Sequence, residues 1–235
     1  MELYIVIGIG VVALVLLFVF LSKKTAERKA NALQAVAAQM GGTYSADAPD
    51  TFTNRLKSFT FFTQPCEYSS FSHLIHSPTD AVEKAAFEFF MSVKPAPRVG
   101  ILYKNDESNP ANISYEYTVV YLKYDRLNLP HFVLTKHGFW DGIATSFGLE
   151  KDIDFESHKD FSITYNLRGS DETAVRNLFN PQMLSFFENN RRISAEGHGQ
   201  EIIFYCDKIA AEDIQSFVDK SSEAFKLFQS NAGAV

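Results

Sequence analysis

The first 22 residues separate from the rest by pattern alone. Residues 3–21, LYIVIGIGVVALVLLFVFL, hold no charge, and Tyr4 brings the only side-chain hydroxyl. As a helix, a run of this length rises about 28 Å, close to the roughly 30 Å of a bilayer's hydrocarbon core. The pattern predicts a transmembrane anchor over residues 1–22. A cleaved signal peptide fits less well, because Met1 and Glu2 give no positive leader and Phe18 to Ser22 offers no small-x-small cleavage site. Within TAERKANALQAVAAQM, Leu33, Val36, Ala37 and Met40 recur at i, i+3, i+4 and i+7, and Gly41-Gly42 follows as a stop. That predicts a juxtamembrane stalk helix within 23–42, continuing the anchor and docking on what comes next.

From residue 43 the period shortens. Strands are predicted at 59–63, 68–76, 84–93, 99–103, 114–124 and 131–135, the clearest within ISYEYTVVYLKY. The polar NDESNPAN, 105–112, reads as a hairpin connection. FSITYNLRG, 161–169, reads as a strand with Phe161, Ile163, Tyr165 and Leu167 on one face. Ser170 is the expected cap of a helix over 171–179, with Asp171 and Glu172 in its first turn. Asn180 and Pro181 open a second helix, 181–190. A hairpin follows, with strands 192–196 and 200–206 about a turn at Gly197, His198 and Gly199. A last helix, 211–229, puts Ile214, Phe217, Val218, Ser221, Phe225 and Phe228 on its inner face. The sum is an α+β fold with an antiparallel sheet and helices packed on one side. It spans 43–235, as one domain or as two subdomains meeting near 125–131.

Composition sharpens this picture in three ways. The 22 phenylalanines and 10 tyrosines fall largely in strand and helix clusters, which points to an aromatic core. Two cysteines exclude a disulfide scaffold, and a net charge of -6 argues against nucleic-acid binding as the main task. The charge is also uneven. Lys23, Lys24, Arg28 and Lys29 against Glu2 and Glu27 give the first 30 residues +2, which leaves -8 of the total -6 on the remainder. Cations stay on the cytoplasmic side of a bacterial inner membrane, so the N-terminus is expected outside and the domain in the cytoplasm. There Cys66 and Cys206 would be free thiols, and an acidic domain is expected to stand off an anionic bilayer surface.

The candidate chemistry is sparse. His73 and His76 are three apart on a predicted strand and point to opposite faces, so they cannot share a metal. Asp152, Asp154 and Glu156, within the 152–160 cluster, could line one extended face as oxygen ligands for Mg²⁺ or Ca²⁺, yet the cluster lacks the glycine-containing spacing of a calcium loop. Cys206 and His198 share a hairpin, and neither they nor Cys66 has a local base or electropositive setting for a nucleophile. His131 and His137 carry no ligand spacing, and Gly138 to Gly142 is not a phosphate loop. Arg168 and Arg176 flank a helix start whose acids oppose an anion there. No GxSxG, HExxH, CxxC or GxGxxG order is present. No catalytic, cofactor-binding or metal-ligating residue is assigned from the sequence.

With these segments placed, the chain resembles a family of uncharacterised bacterial single-pass membrane proteins. The resemblance is carried by the N-terminal anchor, by Leu129-Pro130-His131-Phe132 and Asp152-Ile153-Asp154-Phe155, and by the run from Phe161 through Leu167-Arg168-Gly169 to Phe179. It implies a membrane protein with a cytosolic domain and implies no activity. Three functions are then open. The first is a non-enzymatic, membrane-anchored interaction protein or accessory subunit of a membrane complex, bound to the bilayer through 3–21 and to a membrane-protein partner. The second is an anchored sensor taking a small ligand or lipid in an aromatic-lined pocket. The third is a metal-dependent hydrolase using the 152–160 carboxylates.

Overall fold

The central strands carry apolar side chains on both faces, so their sheet must be covered on both. A computed structural model of the chain describes residues 2–79, 82–94, 112–137 and 152–232, with the backbone alone for 2–13 and 15. The expected strand 99–103, nearly all of the 105–112 connection and the turn at 138–142 lie outside the described residues. Along the chain come helix α1 (Glu2–Gln39), strand β1 (Thr43–Asp47), α2 (Asp50–Leu56), β2 (Tyr68–Pro78), β3 (Glu83–Val93), β4 (Ile113–Lys123) and β5 (Leu129–Lys136). Then follow α3 (Lys159–Thr164), β6 (Tyr165–Gly169), α4 (Glu172–Leu178), α5 (Pro181–Asn189), β7 (Ser194–Gly199), β8 (Glu201–Asp207) and α6 (Ile214–Ala232).

The strands form one eight-stranded sheet in the order β1-β2-β3-β4-β8-β7-β5-β6. Every neighbouring pair is antiparallel. The first four strands make a meander, and the β7–β8 hairpin sits between β4 and β5. Strands from both sides of the 125–131 stretch therefore share one sheet. The α+β class with an antiparallel sheet is as the pattern predicts.

On the first face, Val120 and Leu122 of β4, Ile202 and Phe204 of β8 and Phe132 and Leu134 of β5 are buried under the long helices. Those helices contribute Leu33, Val36 and Ala37 from α1, Met183 and Phe187 from α5, and Phe217, Phe225 and Phe228 from α6. The other face carries Phe87, Phe89 and Met91 of β3, Tyr117, Val119 and Tyr121 of β4, and Ile203 and Tyr205 of β8. It is roofed by Phe52 and Leu56 of α2 with Phe59 and Phe61. The residues that alternate along each strand thus feed two separate apolar clusters, as a period of two requires.

Several local expectations are corrected. The stretch 59–63 is a 3₁₀ turn, Thr60–Thr63, and not a strand. Its alternating phenylalanines serve a roof over the sheet, and a carboxylate of β7 takes its first N–H groups, which no strand ladder would allow. The stretch 161–169 is α3 followed by β6, so Phe161 and Tyr165 are buried as an i, i+4 pair while Ile163 is 73% exposed. The cap of α4 is Asp171, whose side chain accepts from the Ala174 N–H, and not Ser170. His198 belongs to β7, with the turn at Gly199 and Gln200. α5 starts as expected, with Asn180 accepting from the Met183 N–H and proline in its first turn. β2 bends at His73, whose φ is +56° where its pairing with β3 shifts register.

α1 is continuous from the apolar run into the stalk, and Gly41, at φ +68°, turns the chain out of it. Among the described residues no helix is long and apolar enough to cross a membrane. Of the run 3–21, side chains are described at 14 and 16–21, so the expected span falls largely outside them. Those that are described stand in the open: Leu14, Leu16, Leu17, Phe18, Val19, Phe20 and Leu21 are each 42–72% exposed.

Candidate functional site

The residues singled out for chemistry are mostly kept apart by the fold. Asp152 accepts from Arg168 Nε at 2.6 Å, Asp154 is exposed and offers its backbone carbonyl to Arg176, and Glu156 points into solvent. Among the described residues no group of three or more histidines, cysteines and carboxylates is placed to hold a metal ion. Arg168 and Arg176 form no anion clamp, since Arg176 is engaged by Glu172 at 2.7 Å and lies over the Phe155 ring. His73 and His76 go separate ways. His73 Nδ1 lies 2.8 Å from the Tyr44 hydroxyl, and His76 Nε2 lies 2.8 Å from Glu83. Cys206 is buried in the first-face cluster with its thiol pushed up to about 12 by burial. His198 packs on Phe59 above the opposite face, so the two never meet.

The fold does bring together two groups of residues that the sequence does not flag. The first is the junction of α1 with the sheet. Lys29 Nζ lies 2.7 Å from the carboxylate of Glu88, a β3 residue only 8% exposed. Lys208 approaches the same carboxylate at 3.5 Å and holds Glu116 at 2.9 Å. Beside them Tyr44 stacks on His73, and Ser77 Oγ donates to the Met40 carbonyl at 2.8 Å. With Leu33, Val36 and Ala37 buried, these contacts clamp the last three turns of α1 onto β1 and β2. A buried carboxylate facing two ammonium groups is costly to leave half-paired, so the clamp specifies one docking geometry.

The second group lies under the roof of the other face. Glu196 of β7 is fully buried, and its two oxygens accept from the N–H groups of Thr60 (2.6 Å) and Phe61 (2.9 Å). His131 Nε2 lies 3.5 Å from it, and the rings of His131 and His198 meet edge-on at 6.0 Å. This is a structural tie: the carboxylate meets the otherwise orphaned donors at the start of a turn. The aromatics around it pack on one another, with Phe61 stacked on Tyr205 at 4.0 Å and Phe59 edge-on to Tyr121. The one signal in the sequence was at Glu88, a lone carboxylate inside the apolar FEFFM; SAEGHG around Glu196 gives none.

Two imidazoles give the fold a pH dependence. His73 and His198 are held below the ordinary value, chiefly by burial. The unfolded chain therefore takes a proton that the folded chain refuses, and stability falls as pH drops below the ordinary 6.5. Glu83 is held below 4.5, foremost by the Arg55 guanidinium that hydrogen-bonds it, so its contribution is present above that value and is lost as pH falls beneath it. Urea unfolding in detergent should show a lower midpoint at pH 5.5 than at pH 7.5, with a smaller difference in His198→Gln. Equal midpoints would refute the assignment.

An open cleft of about 460 Å³ lies where α5 ends and α6 begins, floored by Ile193, Cys206 and Phe217 and rimmed by Arg192, Asp213 and Lys220. Its rim mixes both signs of charge and places no nucleophile beside a base.

No family model matches the chain, and no curated protein matches it. Among solved structures it is similar to the crystal structure of the mycobacterial trehalose monomycolate transport factor A, TtfA. The likeness covers 85% of this chain and 92% of that one, at 10% identity and a TM-score of 0.53. At that identity the likeness is one of fold.

Proposed function

We propose that this chain is a non-enzymatic, membrane-anchored interaction protein, an accessory subunit of a membrane complex. Residues 3–21 would cross the inner membrane with the N-terminus outside, leaving the α+β domain in the cytoplasm. The observation that carries this reading is the division of α1. Residues 16–21 expose large apolar side chains around the whole helix circumference, while Leu33, Val36 and Ala37 are buried in the domain. A helix apolar on every side has no stable place in water. Being clamped at its other end, it ties the domain rigidly to whatever surrounds it. The basic residues 23, 24, 28 and 29 support the orientation.

Copurification from native membranes in mild detergent tests the reading: a stoichiometric membrane-protein partner is expected, and recovery of the chain alone would count against it. Orientation has its own test. Protease added to intact spheroplasts should leave the 43–235 domain uncut, and digestion there would reverse the topology.

A further inference from the structure

The path of α1 across the sheet sets the height of the domain above a bilayer. Met40 sits at Ser77 and Lys29 at Glu88, so the helix runs along β2 and β3 towards the end where β2 and β4 begin and β3 finishes. From Lys29 to Leu21, the last apolar residue of the run, the helix climbs about 12 Å. From Glu88 to Val93, β3 extends about 16 Å in the same direction. The end of the sheet therefore reaches the height at which the apolar run begins. With the apolar run placed in a bilayer, this geometry would bring the acidic domain to the surface and not hold it off.

That end is also where apolar side chains are left uncovered. Among the described residues outside α1, the exposed large hydrophobics are Tyr68, Ile113 and Ile163. Tyr68 opens β2 and Ile113 opens β4, at 60% and 44% exposure, on either side of the last residues of β3. Tyr68 leans on Phe90 with ring centres 6.0 Å apart. The acids beside them are neutralised, Glu67 by Lys94 at 3.1 Å and Glu116 by Lys208 at 2.9 Å. Lys23 and Lys24 stand exposed on α1 near the same height. An apolar body with a phenolic tip, next to unburied cations, is the chemistry of a bilayer interface.

We propose that the β2–β3–β4 end of the domain, through Tyr68 and Ile113, rests on the anionic lipid surface as a second membrane contact beside the helix. The proposal rests on the anchor reading above, and one preparation separates the two. Cys66 is exposed two residues before Tyr68, while Cys206 is buried, so Cys66 takes a thiol-reactive fluorophore selectively. The full chain is reconstituted into phosphatidylglycerol-containing liposomes, with or without a nitroxide-bearing lipid. Flotation reports the anchor and quenching of the label reports the second contact.

Tyr68 and Ile113 placed at the interface should bring the label within the depth where shallow nitroxides act, costing about half of its emission or more. Tyr68→Ser with Ile113→Ser should restore that emission without affecting flotation. Ile163→Ser should leave quenching as it is, because Ile163 lies in α3, which leads into β6 at the far edge of the sheet. A chain that floats with its label unquenched overturns the proposal and leaves the anchor standing. Quenching that persists in the double variant overturns it as well. Failure to float overturns the anchor first and this contact with it. A label silent in pure lipid but altered in native vesicles would assign the surface to a protein and overturn the lipid contact.

Discussion

Glu196→Ala should destabilise the domain by about 3–5 kcal/mol, the range for breaking a fully buried charged hydrogen-bonding group. The carboxylate spans β7 and the 60–63 turn, more than 130 residues apart in sequence, and accepts two N–H groups at 2.6 and 2.9 Å. Its removal strands both donors in an apolar setting and frees the roof that covers Phe61 and Tyr205. Chemical denaturation in detergent measures the loss, and the aromatic near-ultraviolet signal should fall with it. Glu196→Gln keeps one acceptor oxygen but turns an amide donor towards a second donor, so it should recover only part of the loss. A change below about 1 kcal/mol in the alanine variant would show that the turn is held by its phenylalanines and not by the carboxylate.

Leu33→Asp should have a comparable effect, confined to a different place. Leu33 is 1% exposed between α1 and the sheet. Its burial is worth about 2 kcal/mol, and an unpaired carboxylate there costs more still. Nearby Glu88 already claims Lys29, so the new charge finds repulsion in place of a partner. The stalk should peel from the sheet while the domain stays folded. Limited proteolysis should then cut near Gly41 and Gly42, with the far-ultraviolet signal of the domain retained. Wild-type resistance at that point in the variant would mean that the salt-bridged clamp suffices without the apolar stripe.

The periodicity of the chain was enough to read α1, its stripe at 33, 36 and 37, α5 with its Asn180 cap and the inner face of α6, because each depends on neighbours three or four residues away. It failed at Phe59 to Phe62 and at Phe161 to Tyr165. There a short alternation of aromatics fits a strand, a turn or a helix equally, and the choice falls to what packs above. The carboxylates at 152–160 would share a face only on an extended backbone, and the fold sends Asp152 to Arg168 and leaves Asp154 and Glu156 exposed. Of the two structural carboxylates, Glu88 was visible only as a misfit in an apolar strand, and Glu196, in SAEGHG, was not visible at all.

The sequence by itself determined the helix with one apolar half and one basic half, the acidic balance of the domain, its class and most of its element boundaries. These follow from local forces, which act over a turn of helix or a pair of strand residues. The tertiary structure alone decided the strand order, the partners of Glu88 and Glu196, and the direction in which α1 leaves the sheet. Those depend on contacts between residues tens to more than a hundred positions apart, whose closure is set by burial of both sheet faces at once and leaves no periodic trace along the chain.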